Sequence, residues 1–190
     1  MSSLTALWQR LKYRALYRLM HRRGAWVFDG HSLEPHAQRI GELIRTLGVT
    51  SALDYGCGKG RQYEEKRLHE LHEWGFKPAL YDPGVPGYAT LPTQTFDAVI
   101  CTDVLEHVHE SLLPDVLSQI FARGRKLVYL AISTRLAEKR LPNGENAHCT
   151  VHDADWWMNT LSTHRSTQHV EVSFQGAKDA APVVRIMNHV

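Results

Sequence analysis

Apolar positions repeat in two rhythms along this chain. Near the N-terminus Leu4, Leu7, Trp8, Leu11, Ala15 and Leu19 recur at helical spacing behind a capping Ser3, and they predict a helix to about residue 22. A second helix is expected from Leu33 to Leu47. Ile40, Leu43, Ile44 and Leu47 form its stripe, Pro35 sits in its first turn and Gly48 ends it. Beyond that, short apolar runs of strand character alternate with helical stretches. Strands are expected at 51–55, 79–82, 96–102, 126–132, 169–174 and 183–187. Helices are expected at 61–74, 112–123 and 153–161, the last capped by Asp153. The run from Phe96 to Thr102 is apolar throughout, as in a strand covered on both faces. This alternation predicts an α/β fold built on a mostly parallel sheet. The last two strands are joined without a helix, which predicts an antiparallel C-terminal edge strand. Only 13 residues, 83 to 95, separate the second strand from the third. That interval is too short for a crossover helix and a further strand, so one edge strand is expected to be missing.

Composition narrows the class. A chain of 190 residues that is 43% apolar suits one globular domain. It has no internal repeat, and no apolar run reaches the roughly 18 residues of a membrane span. Arg10, Lys12, Arg14 and Arg18 break up the apolar stretch that a secretory signal would need. Cys57, Cys101 and Cys149 are odd in number and fit no metal-ligand spacing, so free thiols in a cytoplasmic setting are expected. The net charge of +2 hides an asymmetry: Arg10, Lys12, Arg14, Arg18, Arg22 and Arg23 all precede the first acid, Asp29. Residues 1–30 read as a basic helical arm and 31–190 as the ligand-binding domain. Such an arm suits a phosphate-bearing partner, and equally a solvated helix face.

The chemistry concentrates where strand meets turn. Leu53-Asp54-Tyr55-Gly56-Cys57-Gly58-Lys59-Gly60 joins a strand to a helix, and its glycines allow a ligand close to the backbone. Asp54 lies within that strand, Asp82 ends the next one, and a buried strand leads into Asp103. Carboxylates at strand ends accept hydrogen bonds from a ribose diol or an ammonium. No Lys-Ser/Thr pair follows the glycines, which excludes a nucleoside-triphosphate P-loop.

With Leu80-Tyr81-Asp82 and the stretch from Phe96 to Val108, this turn resembles the class I S-adenosylmethionine-dependent methyltransferases. The resemblance implies a Rossmann-like, doubly wound sheet, with the arm as an N-terminal helical extension. It also implies that S-adenosylmethionine is bound by Gly56, Gly58 and Gly60. Asp54 would lie near the methionine amino group, Asp82 on the ribose hydroxyls and Asp103 on the pocket wall.

The acceptor is less defined. Thr102-Asp103-Val104-Leu105 stands where base-modifying DNA methyltransferases carry Asn/Asp-Pro-Pro-Tyr/Phe, so that activity is excluded. His107, His148 and His152 remain as candidate bases or acceptor-orienting groups, with His148 foremost and His107 second. Residues 148–152 read as extended, with His148 and His152 on one face. Asp103-x-x-Glu106-His107 with His148 also resembles the metal site of small-RNA 3′-terminal 2′-O-methyltransferases, although Asp103 stands where they have Glu. That resemblance implies Mn²⁺ or Mg²⁺, whereas the leading reading assigns no metal. Of the adjacent Trp156 and Trp157, one is expected in the core. The expected activity is methyl transfer to a hydroxyl or amine of a small-molecule or sugar-like acceptor. The alternatives are an RNA methyltransferase using the basic arm, or a cofactor-binding protein without transferase activity.

Overall fold

Among the described residues, six strands form one sheet in the order β2-β1-β3-β4-β5-β6. They are β1 (Ala52–Tyr55), β2 (Ala79–Tyr81), β3 (Phe96–Thr102), β4 (Gly124–Ser133), β5 (His169–Gln175) and β6 (Val183–Met187). This computed structural model describes residues 8, 11–13, 15–16, 19, 32–164, 168–176 and 181–187. Every pairing is parallel except β5 with β6. The antiparallel edge and the missing edge strand are both as expected. Residues 83–95 hold one short 3-10 turn, Pro86–Tyr88, and no strand, so the sheet stops at β2.

The chain leaves β1 for β2 on one side and returns to β3 on the other. The crevice above that reversal, at the C-terminal strand ends, is where open α/β sheets take ligands. Alternation along β3 feeds two cores. Val99 and Cys101 join Leu53, Leu117, Ile120 and Trp157 on one face. Ala98 and Ile100 join Ile40, Leu43, Ile44 and Tyr63 on the other. The first face is covered by α4 (Leu113–Phe121) and α5 (Ala154–Ser162), and the second by α1 (Ala37–Thr46). Asp153 caps α5 as expected, its Oδ1 accepting from the Trp156 N–H at 2.8 Å.

The helix expected over 61–74 is instead two short ones, α2 (Arg61–Glu64) and α3 (Leu68–Leu71), broken at Arg67 with φ +50°. Tyr63 and Leu68 are both buried in the same core. Five residues apart, they would point about 140° away from each other on one continuous helix. The break turns both inward.

Helical residues of the arm pack on the segment 137–149. Tyr13 and Leu16 meet Leu141, Ala147 and Ala137, and Lys12 Nζ and Tyr13 Oη both donate to Glu145 at 2.8 and 3.0 Å. Of the predicted apolar stripe, Trp8, Leu11 and Leu19 face solvent, so the helix is held by its Tyr13 side instead. Leu4, Leu7 and the five arginines Arg10, Arg14, Arg18, Arg22 and Arg23 lie outside the described residues.

Candidate active site

One wall of the crevice is main chain. The N–H groups of Gly56 and Cys57 donate to the Tyr81 carbonyl at 2.7 and 3.1 Å, tucking the turn against the end of β2. Gly56 has φ +88°, and a Cβ there would lie 2.3 Å from Val104 Cγ2, so only glycine fits. The Gly58 N–H donates to Asp82 Oδ2 at 3.0 Å, and Gly84 N–H donates to Oδ1 at 2.7 Å. Gly56, Gly58 and Asp82 line a cavity of about 630 Å³. Gly60 begins α2 outside that lining, where a Cβ would meet Leu80 Cδ1 at 2.9 Å. Asp54 also lies outside the lining. Its Oδ2 accepts from Gln62 Nε2 at 3.0 Å and Tyr63 Oη at 2.9 Å. Burial raises the Asp54 carboxyl to about 7, against the pull of those two hydrogen bonds.

The opposite wall is side chain. Asp103 follows β3 with φ +60°, a left-handed conformation that Asp tolerates better than most residues. A 3-10 turn, Leu105–His107, then folds Glu106 inward. Glu106 Oε1 accepts the Ser133 N–H at 2.7 Å, while Oε2 is buried with no donor facing it. Burial, and next the charge of Asp103, hold the Glu106 carboxyl well above the usual range. His107 Nδ1 lies 2.7 Å from the Ala147 carbonyl, and His148 Nδ1 lies 2.6 Å from that of Arg135. A carbonyl only accepts, so both rings carry their hydrogen on Nδ1. The rings meet edge to face with centroids 4.7 Å apart. Burial lowers His107 to about 4 against the opposing charge of Asp103, which keeps its imidazole neutral at pH 7. Asp103, His107 and His148 all line the cavity.

Asn146 sets the position of His148. Its Oδ1 accepts from the N–H groups of Ala137 and His148 at 3.0 and 2.9 Å, and its Nδ2 donates to the Ala137 carbonyl at 2.9 Å. His152 does not share the face of His148. It stacks on Trp156 at 3.8 Å and approaches Glu110 at 3.4 Å, outside the cavity lining. Trp157 is the core tryptophan. The sequence reading missed Tyr13, Ser32, Tyr55 and Gln119 as lining residues. Tyr55 was within reach of pattern, being the last residue of β1; its hydroxyl donates to Gln119 Oε1 at 2.8 Å. Nothing local marks Tyr13, which reaches the cavity from the arm.

A family model described as a methyltransferase domain matches residues 8–178. The chain belongs to this methyltransferase family. No curated protein and no solved structure matches it. Membership makes the chain an S-adenosylmethionine-dependent methyltransferase, as the sequence resemblance implied. The match begins at residue 8, so it takes in the helical residues that carry Tyr13. The methyltransferase's main-chain wall fits such a cofactor: Gly56 and Gly58 line the cavity with backbone, and Asp82 brings carboxylate oxygens to the same lip. Among the described residues, no helix is long and apolar enough to cross a membrane.

Proposed function

We propose that this methyltransferase acts on a hydroxyl or amine of a small-molecule or sugar-like acceptor, which enters between Tyr13 and the His107–His148 wall. The observation that supports this reading is the roof. Tyr13, fixed to Glu145 and packed 5.1 Å from the His109 ring, lines the same cavity as the two imidazoles. That confines the acceptor end to a compact guest. On the opposite side Gly56, Gly58 and Asp82 would hold the cofactor, with Asp82 accepting from the ribose hydroxyls. When bound, S-adenosylmethionine supplies an electrophilic methyl carbon on a sulfonium.

The protein's contribution is alignment and a lone pair. His107 and His148 would orient the acceptor through Nε2, since Nδ1 of each lies on a main-chain carbonyl. An acceptor oxygen or nitrogen bonds to the methyl carbon as the C–S bond breaks. The transfer would convert the sulfonium to a neutral thioether, and the acceptor's proton would pass to an imidazole of the wall or to solvent water. The thiols of Cys57, Cys101 and Cys149 form no disulfide, which supports a cytoplasmic setting.

Arg135 and Lys139 at the cavity, together with the basic arm, favour RNA as a second reading. The test is formation of S-adenosylhomocysteine with polyols, amino sugars and short RNAs, at low and moderate salt. Turnover of a small acceptor that barely changes with salt supports the first reading. Turnover confined to RNA and falling steeply with salt replaces it with the second.

A further inference from the structure

We propose that Asp103, His107 and His148 form a divalent-cation site that presents the acceptor's oxygen to the methyl group. Each residue offers one ligand atom, and these atoms lie within 4.8 Å of one another. Because both imidazoles hold their hydrogen on Nδ1 against a carbonyl, each offers the lone pair of Nε2. Asp103 adds a carboxylate oxygen. The cluster therefore brings three potential ligand atoms of two chemical kinds to one point, where a cation could sit. An imidazole anchored through its far nitrogen on a carbonyl is the usual way a protein orients a metal ligand. A general base needs one such ring. Here two converge in the same tautomer, beside an aspartate held at positive φ.

Glu106 is not a fourth ligand. Its Oε1 is engaged by the Ser133 N–H, and the side chain is wholly buried behind Asp103. That differs from the arrangement the sequence resemblance implied, in which both acids hold the ion. Two imidazoles with one carboxylate suit Mn²⁺, Co²⁺ or Zn²⁺ better than Mg²⁺ or Ca²⁺. An ion about 2.0–2.2 Å from each ligand would draw the three atoms to roughly 3–3.5 Å of one another. Three protein ligands leave coordination positions open to the cavity, where an acceptor hydroxyl completes the shell. A coordinated hydroxyl releases its proton to solvent water more readily. Its oxygen then bonds to the methyl carbon as the C–S bond breaks and the sulfur leaves as a thioether. The role in transfer rests on the proposed function, while the binding of the ion does not.

The experiment uses the untagged full chain, stripped with EDTA and titrated with CoCl₂ alone. Visible absorption follows coordination and equilibrium dialysis gives the stoichiometry. One Co²⁺ per chain is expected, and Asp103→Asn and His148→Asn should each weaken binding by about 10- to 100-fold. Asn tolerates positive φ, so Asp103→Asn decides the matter if His148→Asn does not fold. Absence of stoichiometric Co²⁺ binding, or equal binding by the folded variants, overturns the proposal. A separate titration of S-adenosylmethionine in EDTA distinguishes the two readings. Cofactor binding without Co²⁺ binding sinks the ion site alone, and Co²⁺ binding without cofactor binding sinks the proposed transfer alone.

Discussion

Each wall of the cavity has a buried carboxyl behind it, and the two are treated differently. Asp54, behind the glycine turn, accepts from Gln62 and Tyr63 on one oxygen and serves the fold. Glu106, behind the imidazole wall, has one oxygen on the Ser133 N–H and another with no donor, next to the charged Asp103. A buried carboxyl that lacks donors stays protonated, and its hydroxyl can then serve the carboxylate beside it. The glycine wall is thus a finished piece of backbone whose acid looks inward. The imidazole wall is a stack of side chains whose acid backs a group facing the cavity.

The difference can be broken most severely at His148. His148→Asn should lower turnover by about 10²-fold or more while cofactor affinity stays within a few-fold. Full turnover with the true acceptor would remove the imidazole wall from the chemistry.

The next effect concerns stability at the other wall. Asp54 rises from an ordinary value of 3.8 to about 7 on folding, so the folded state holds its proton more tightly. Its contribution is therefore complete below about pH 4, is lost as pH climbs toward 7 and is flat above, with an upper bound of about 4 kcal/mol. Denaturant melts across that range should show a different slope in Asp54→Asn than in wild type, the difference being the Asp54 share, because Glu106 and His107 contribute to both chains. Equal slopes in the two chains would show that Asp54 is not the titrating group.

A smaller effect is expected at the lip. Asp82→Ala removes acceptors from the ribose side and also from the N–H groups of Gly58 and Gly84. Calorimetry should record a loss of about 2 kcal/mol in S-adenosylmethionine affinity, with acceptor KM little changed. Unchanged cofactor affinity would move the ribose elsewhere. The smallest effect sharpens the contrast between the two acids. Because burial favours the neutral form of the Glu106 carboxyl, which an amide matches in shape, Glu106→Gln should shift unfolding stability by less than about 1 kcal/mol. A large loss would mean that Glu106 carries charge in the folded protein.

How legible each wall was in the sequence follows from how it is made. The glycine turn and its strand are contiguous, so Gly56, Gly58 and Asp82 could be named from a local motif and the family resemblance it carries, and the short interval after Asp82 betrayed the missing edge strand. The break at Arg67 was not legible, because helical propensity does not register that Tyr63 and Leu68 must enter the same core. His107 and His148 were nameable as candidates. That their rings touch depends on the Ala147 and Arg135 carbonyls and on the Asn146 clamp, contacts between segments that no local pattern records. Tyr13 was the least legible, since it arrives from a helix whose apolar stripe pointed elsewhere.

Gly56 has one more consequence. The space its side chain would need is filled by Val104, the residue directly after Asp103. The glycine turn and the exit of β3 toward the imidazole wall are therefore keyed together, like a tenon in its slot. Neither surface can shift without the other giving way. Any factor by which one guest changes the fit of the second must act equally in reverse, because both paths end in the same doubly occupied state. Order of arrival is then free to affect rates, while the free energy of the doubly occupied state does not depend on it.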